Sequence, residues 1–123
     1  MPENLKHLQQ RLGYEFRDQA LLSLALTHRS CGSQNNERLE FLGDAVLGLI
    51  MASFLCTNFP EVREGELSRM RSHMVCAESL AKVARQLELG PHLLLGAGEV
   101  KSGAHRRDSI LGDTVEAIIG AVY

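Results

Sequence analysis

From about Glu37 to Asn58 the sequence keeps helical periodicity without a proline, and this stretch limits the possible folds more than any other. It follows a polar loop of Gly32, Ser33, Gln34, Asn35 and Asn36 and must end before Pro60. On a wheel of about 100° per residue, Leu39, Leu42, Val46, Leu49 and Ile50 cluster on one face, the face expected to meet a core. Glu37, Glu40 and Asp44, spaced i, i+3, i+7, fall together on roughly the opposite side.

The end of the chain repeats the arrangement. Asp108 or Ser109 can cap a last helix whose buried stripe is Leu111, Val115, Ile118 and Val122, with Asp113, Glu116 and the side-chain-free Gly120 aligned opposite. Between and before these two helices the same periodicity predicts four others. Leu5, Leu8 and Leu12 define a first helix stopped by Gly13, and Asp18 caps a second through about Thr27. Glu64 to about His73 and Cys76 to Leu89 follow, the latter ended by Gly90-Pro91, after which Gly96, Gly98 and Gly103 loosen the chain. No run of alternating β-branched residues is long enough for a convincing strand, so the expected class is all-α.

Like charges at i, i+3 repel, so stacked carboxylates cost a few tenths of a kcal/mol unless something positive compensates. One such cluster alone reads as a solvated face. Two matching clusters suggest instead a hard divalent cation, which takes carboxylate oxygens and water and stabilises charge building on a phosphate. A helical bundle with carboxylates on two helices also suits a di-iron protein, but such sites use Glu-x-x-His, and the corresponding positions here are Glu40 and Glu116.

The segment Asn36-Glu37-Arg38-Leu39-Glu40-Phe41-Leu42-Gly43-Asp44 resembles the signature motif of the ribonuclease III family over its whole length. The resemblance extends through Ala25-Leu26-Thr27-His28-Arg29-Ser30, the segment Glu64-Gly65-Glu66-Leu67-Ser68-Arg69-Met70-Arg71, and Gly112 to Gly120, in matching order and spacing. It implies a helical endonuclease domain that hydrolyses double-stranded RNA with a metal-activated water, leaving 5′-phosphate and 3′-hydroxyl ends, with ribosomal and other RNA precursors as the family's substrates. Carried over by position, Asp44 and Glu116 are the catalytic carboxylates, and Glu40, Asp113 and Glu116 the ligands of Mg2+, for which Mn2+ can substitute. Glu37 and Glu64 are supporting acids in the same cleft. The pattern alone places Phe41 on the flank between the acid row and the core stripe, beside Ala45 and Gly48. The resemblance implies a homodimer in which Phe41 enters a pocket of the second copy, so that two acid clusters share one cleft.

A net charge of −2 looks wrong for an RNA ligand. Setting the six acids Glu37, Glu40, Asp44, Glu64, Asp113 and Glu116 aside from the 15 leaves nine, against 13 bases, a balance that suits phosphate. Lys101, Arg106 and Arg107, among Gly98, Ser102 and Gly103, form a basic segment that can hold RNA phosphates near the site, a reading balanced against solvated loop charges. His7, His28, His73, His92 and His105 show no metal-ligand spacing to one another and receive no catalytic part. Cys31, Cys56 and Cys76 read as reduced thiols.

Apolar residues make up 45% of the 123, the composition of one folded domain. Apolar stretches such as Ala45 to Leu55 are too short to span a bilayer, and Met1-Pro2-Glu3-Asn4 does not begin a leader, so neither a membrane nor a small-molecule substrate is expected and the expected address is cytoplasmic. Residues 1–123 read as a catalytic domain incomplete at its C-terminal side, with its terminal helix and a double-stranded RNA-binding domain absent, because Val122-Tyr123 stands in mid-stripe without a cap. Weak, salt-sensitive binding and association through uncovered core surface are the expected consequences. The other reading left open is a fragment that binds double-stranded RNA or dimerises without cutting.

Overall fold

The computed structural model describes residues 3–123, with side chains from residue 5 onward; Met1 and Pro2, half of the opening segment read above for a leader, lie outside the described residues. Seven α-helices follow in order: α1 (Glu3–Leu12), α2 (Gln19–Ala25), α3 (Glu37–Asn58), α4 (Glu64–Met74), α5 (Ala77–Gln86), α6 (Ala97–Lys101) and α7 (Asp108–Val122). Three single 3-10 turns lie between them, at Arg29–Cys31, Gly90–His92 and Ala104–Arg106. Among the described residues no strand forms, and Thr27 and Leu94 make one isolated parallel bridge.

Several boundaries have a local cause. Gly13 takes a left-handed φ of 72° after α1, a conformation that favours glycine. Asp18 caps α2 by accepting from the Ala20 N–H at 3.0 Å. Asn35 Oδ1 accepts from the Glu37 N–H at 3.0 Å at the start of α3, which leaves Asn36 free to turn inward. The buried Asn36 side chain donates to the Ala25 carbonyl at 3.0 Å and ties α3 to the end of α2. The glycine-rich segment after Pro91 is more ordered than its composition suggests, because it folds into α6 and a 3-10 turn. Neither Asp108 nor Ser109 caps α7: Arg107 occupies the cap position and no side chain bonds the free N–H groups there.

Helix α7 is the axis of the molecule. Ten of its 15 residues are buried, because α3 packs on one side and α5 on the other. The core around it combines Leu8, Phe16, Leu22, Leu26, Leu47, Leu80, Leu89, Leu111, Val115 and Ile118 with small alanines that let the helices approach. Gly112 admits α5, since a Cβ there would already touch the Ala77 carbonyl and Leu80 at 3.4 Å.

The crossing of α3 and α7 corrects the helical-wheel reading. The inward face of α3 carries Gly43, Leu47 and Leu55, with Leu39 and Met51 partly buried. Leu42, Leu49 and Ile50, expected in the core, are 38%, 68% and 50% exposed. The cause is a glycine seam: a Cβ on Gly43 would overlap the Glu116 carbonyl, and one on Gly120 would overlap the Leu39 carbonyl. Glycines add nothing to a hydrophobic stripe, so the wheel gave the outward leucines and isoleucine the core's place. The face of α7 opposite its apolar stripe likewise meets α3 rather than solvent, and Val122, assigned to the buried stripe, is exposed. Taken whole, α3 is also long and apolar enough to cross a membrane by length and composition, although the Ala45–Leu55 stretch by itself is not.

Candidate metal centre

The seam explains how the acids meet. Glu40 and Asp44 flank Gly43 on α3, and Asp113 and Glu116 lie on the face of α7 that crosses it. Carboxylate oxygens of Glu40, Asp113 and Glu116 all lie within 4.8 Å of one another. Glu40 shares a hydrogen bond with Asp113, and Asp44 shares one with Glu116, so each pair spans the two helices.

Two carboxyls can share such a bond only if one of them holds a proton. Glu116, 8% exposed, is pushed up to about 8 by burial, then by its hydrogen bond with Asp44 and the charges of Asp44, Asp113 and Glu40. Glu40 is raised to about 7 by burial, then by the Asp113 charge and hydrogen bond and the charges of Glu37 and Asp44. Burial also raises Asp113, opposed by its hydrogen bond with Glu40, by the positive charge of Arg29 and by the nearby His28. The cluster holds more negative charge than its own surroundings stabilise.

This donor set fits a hard divalent cation. At about 2.1 Å per Mg–O bond, ligand oxygens of an octahedron stand about 3.0 Å apart when adjacent and about 4.2 Å when opposite, so three carboxylates within 4.8 Å of one another would close by up to about 2 Å around a cation or let water complete the shell. Among the described residues no histidine or cysteine belongs to the cluster, which separates it from the Glu-x-x-His pattern of di-iron sites.

The acids open into a cavity of about 830 Å³ lined by Glu37, Glu40 and Asp113 on one side and by His28, Arg29, Asn35, Arg107 and Ser109 elsewhere. Glu37 is therefore beside the cluster, and its charge acts on Glu40. Glu64 is not: it lines a separate 210 Å³ pocket with Ala52, Cys56 and Arg71, so one copy of the chain does not bring it to the acids. Arg107 reaches the cavity, whereas Arg106 lines another on a different part of the surface, with Arg85 and Pro91, and Lys101 is exposed at the end of α6. The sequence pattern does not single out His28 and Arg29 as lining residues, since the histidines show no metal-ligand spacing to one another and Arg29 lies outside the basic segment around Lys101. Their presence in a segment matched to the family was the available signal. Phe41 stands 81% exposed, next to Glu40 in sequence yet turned away from the cleft.

Comparisons with known proteins agree with this geometry. A domain model described as ribonuclease-III-like matches residues 18–123. The chain is 58% identical to ribonuclease 3 of Hahella chejuensis over all of its 123 residues and 54% of that protein, and 60% identical to ribonuclease 3 of a Marinomonas species over 94% of this chain and 51% of that one. It thus spans about half the length of the curated relatives it matches. The crystal structure of the ribonuclease III nuclease domain from Campylobacter jejuni superimposes with a TM-score of 0.94 at 48% identity, covering 98% of this chain and 83% of that one. A second structure of that domain, with the same score and identity, is described as showing flexibility in a region involved in dimer formation. The helical order, the glycine-seamed crossing and the four carboxylates facing each other across it are thus found in a chain whose sequence and backbone both match this group: it belongs to the ribonuclease III family.

Proposed function

We propose that this chain is the catalytic part of a homodimeric, Mg2+-dependent endonuclease for double-stranded RNA, acting in the cytoplasm on precursor RNAs and leaving 5′-phosphate and 3′-hydroxyl ends. One observation carries the reading: Glu40, Asp113 and Glu116 converge within 4.8 Å from two helices, with Asp44 bonded to Glu116, at the edge of a cavity lined elsewhere by hydrogen-bond donors and arginines. When bound there, Mg2+, or Mn2+ in its place, would supply a Lewis acid and an acidified water for in-line attack on phosphorus. The protein's own part is positional. The seam fixes the spacing of the acids, and Glu116, buried and raised by its acidic neighbours, would give up its proton as positive charge arrived.

The dimer reading rests on the outward face of α3, where Phe41 and Leu49 are 81% and 68% exposed. A contiguous apolar face of this kind is characteristic of a protein contact. Cutting both strands of a duplex requires two sites at a fixed separation, which a two-fold pair supplies. A supporting role for Glu64 requires that second copy, because within one chain it faces another pocket. Arg107, which lines the cavity, would meet RNA at the cleft, and Lys101 and Arg106 would meet it outside.

The test is cleavage of a long perfect RNA duplex with Mg2+, beside a calcium-only control and the Glu116→Gln variant. Mg2+-dependent cutting that Glu116→Gln abolishes is the expected result. Duplex binding without any cutting would make the chain a binding module instead.

A further inference from the structure

The cavity beside the acids is also lined by a segment that takes no part in the metal cluster. His28 begins the 3-10 turn Arg29–Cys31, and its position is set by residues far away in sequence. The His28 N–H donates to the Leu94 carbonyl at 2.9 Å, and the Leu94 N–H donates to the Leu26 carbonyl at 2.9 Å. Two residues on, the Gly96 N–H donates to Ser30 Oγ at 2.8 Å, across 66 positions of sequence. Gly96 has to be glycine for this approach, because a Cβ would come within 2.8 Å of the Ser30 carbonyl oxygen.

Ser30 in turn fixes the imidazole. Its N–H donates to His28 Nδ1 at 3.1 Å, and its Oγ lies 2.9 Å from the same nitrogen. A ring nitrogen that accepts from a backbone N–H carries no proton, so the proton of the neutral ring sits on Nε2. The available edge of His28 is therefore a hydrogen-bond donor.

Arg29 stands beside it. Among the described residues Arg29 makes no ion pair, whereas Arg107, the other arginine of the cavity, is occupied by Glu99 at 3.8 Å and by Ser102 Oγ at 3.0 Å. His28 and Arg29 line the same cavity as Glu40 and Asp113, and the Arg29 charge is felt by Asp113 without an ion pair between them. A donor imidazole and an uncommitted guanidinium are thus held near the acids, but not on them. An anion lying between the two groups would complete both: its oxygens would face the cation held by the acids on one side and these donors on the other.

We propose that His28 and Arg29 seat a backbone phosphate of duplex RNA beside the metal-binding acids, and that Ser30 is a positioning residue that keeps His28 in its Nε2–H form. The inference rests on the RNA-cleaving reading above. It is tested by duplex RNA binding in Ca2+, followed by fluorescence anisotropy from 50 to 200 mM salt (about the range over which counterion release is read), for the wild type and for Arg29→Ala, His28→Ala, His28→Gln and Ser30→Ala. Arg29→Ala is expected to reduce the slope of log K against log salt by about 1. His28→Ala is expected to bind roughly tenfold more weakly, the loss of one charge-assisted contact, and His28→Gln to recover most of that loss through its own N–H donor.

Nitrogen-15 NMR of the wild-type protein gives an independent readout that does not depend on any variant folding: a single Nε2–H tautomer at His28, which Ser30→Ala, keeping the backbone N–H that Nδ1 accepts, should retain. An Nδ1–H tautomer in the wild type overturns the role of Ser30, and an unchanged salt slope in Arg29→Ala together with wild-type affinity in His28→Ala overturns the phosphate seat. A wild-type protein that binds no duplex overturns the RNA-cleaving reading as well, whereas one that binds and cuts while these variants behave like it overturns the seat alone.

Discussion

Loading a divalent cation into the acid cluster should expel protons, and the number follows from the site. At pH 7, Glu116, raised to about 8, holds about 0.9 of a proton, and Glu40, raised to about 7, holds about 0.5. A cation that requires both as carboxylates must therefore release about 1.4 protons at pH 7 and only about 0.1 at pH 9. The apparent metal affinity should rise with the same slope, by a little over one log unit per pH unit near neutrality, and level off above pH 8. Titration calorimetry with Mg2+ or Mn2+ in buffers of different ionisation enthalpy measures the release directly. Glu116→Gln should lower it to about half a proton, since it removes the larger contributor and leaves that of Glu40. Release below about 0.3 at pH 7 in the wild type would show that the acids are already ionised without metal and would refute the argument from burial and crowding. The same shifts give a sign for stability. Both groups bind protons more tightly folded than at their ordinary value of 4.5, so without metal their contribution to stability is lost as pH rises from about 4.5 through 8, and metal should restore it.

Gly43→Ala should destabilise the fold by about 1–3 kcal/mol and lower Tm by roughly 3–10 °C, because its methyl would overlap the Glu116 carbonyl; a melting curve identical to wild type would show that α3 and α7 do not depend on the glycine seam. Asn36→Ala leaves the Ala25 carbonyl without its 3.0 Å donor in a buried setting and should cost about 1–3 kcal/mol in urea denaturation. A loss under about 0.5 kcal/mol would mean that water replaces the amide there. In the proposed dimer Phe41→Ser would remove an exposed ring from each copy and should weaken dimerisation by at least about a hundredfold, read by sedimentation equilibrium; an unchanged dissociation constant would place the interface elsewhere.

How much was legible in the sequence differs from one element to the next. The limits of α3 were, because a polar loop and Pro60 bracket an unbroken period, and the structure runs from Glu37 to Asn58 as expected. The four acids were also legible, since their spacing on each helix puts them on one face and the match to the family is continuous there. The inward face of α3 was not, because the contact that decides it is made by the backbones of Gly43 and Gly120, which carry no hydrophobic signal. Nor was the placement of His28 and Arg29. It depends on the hydrogen bonds from His28 to Leu94 and from Gly96 to Ser30, which join residues more than 60 positions apart and leave no local period. Glu64 matched the family in sequence, but a single chain holds it away from the cleft.

Phe41 sits between Glu40 and Asp44 on the same two turns of α3, one side serving the cleft and another the outward face. In the proposed two-fold pair built on that face, the distance from the symmetry axis to each acid cluster would be set by the radius of one helix, not by the length of any loop. On the proposed two-fold reading, insertions or deletions elsewhere in the chain would leave the spacing of the two acid clusters untouched. A change in that spacing would require rotating α3 itself, which the glycine seam with α7 forbids.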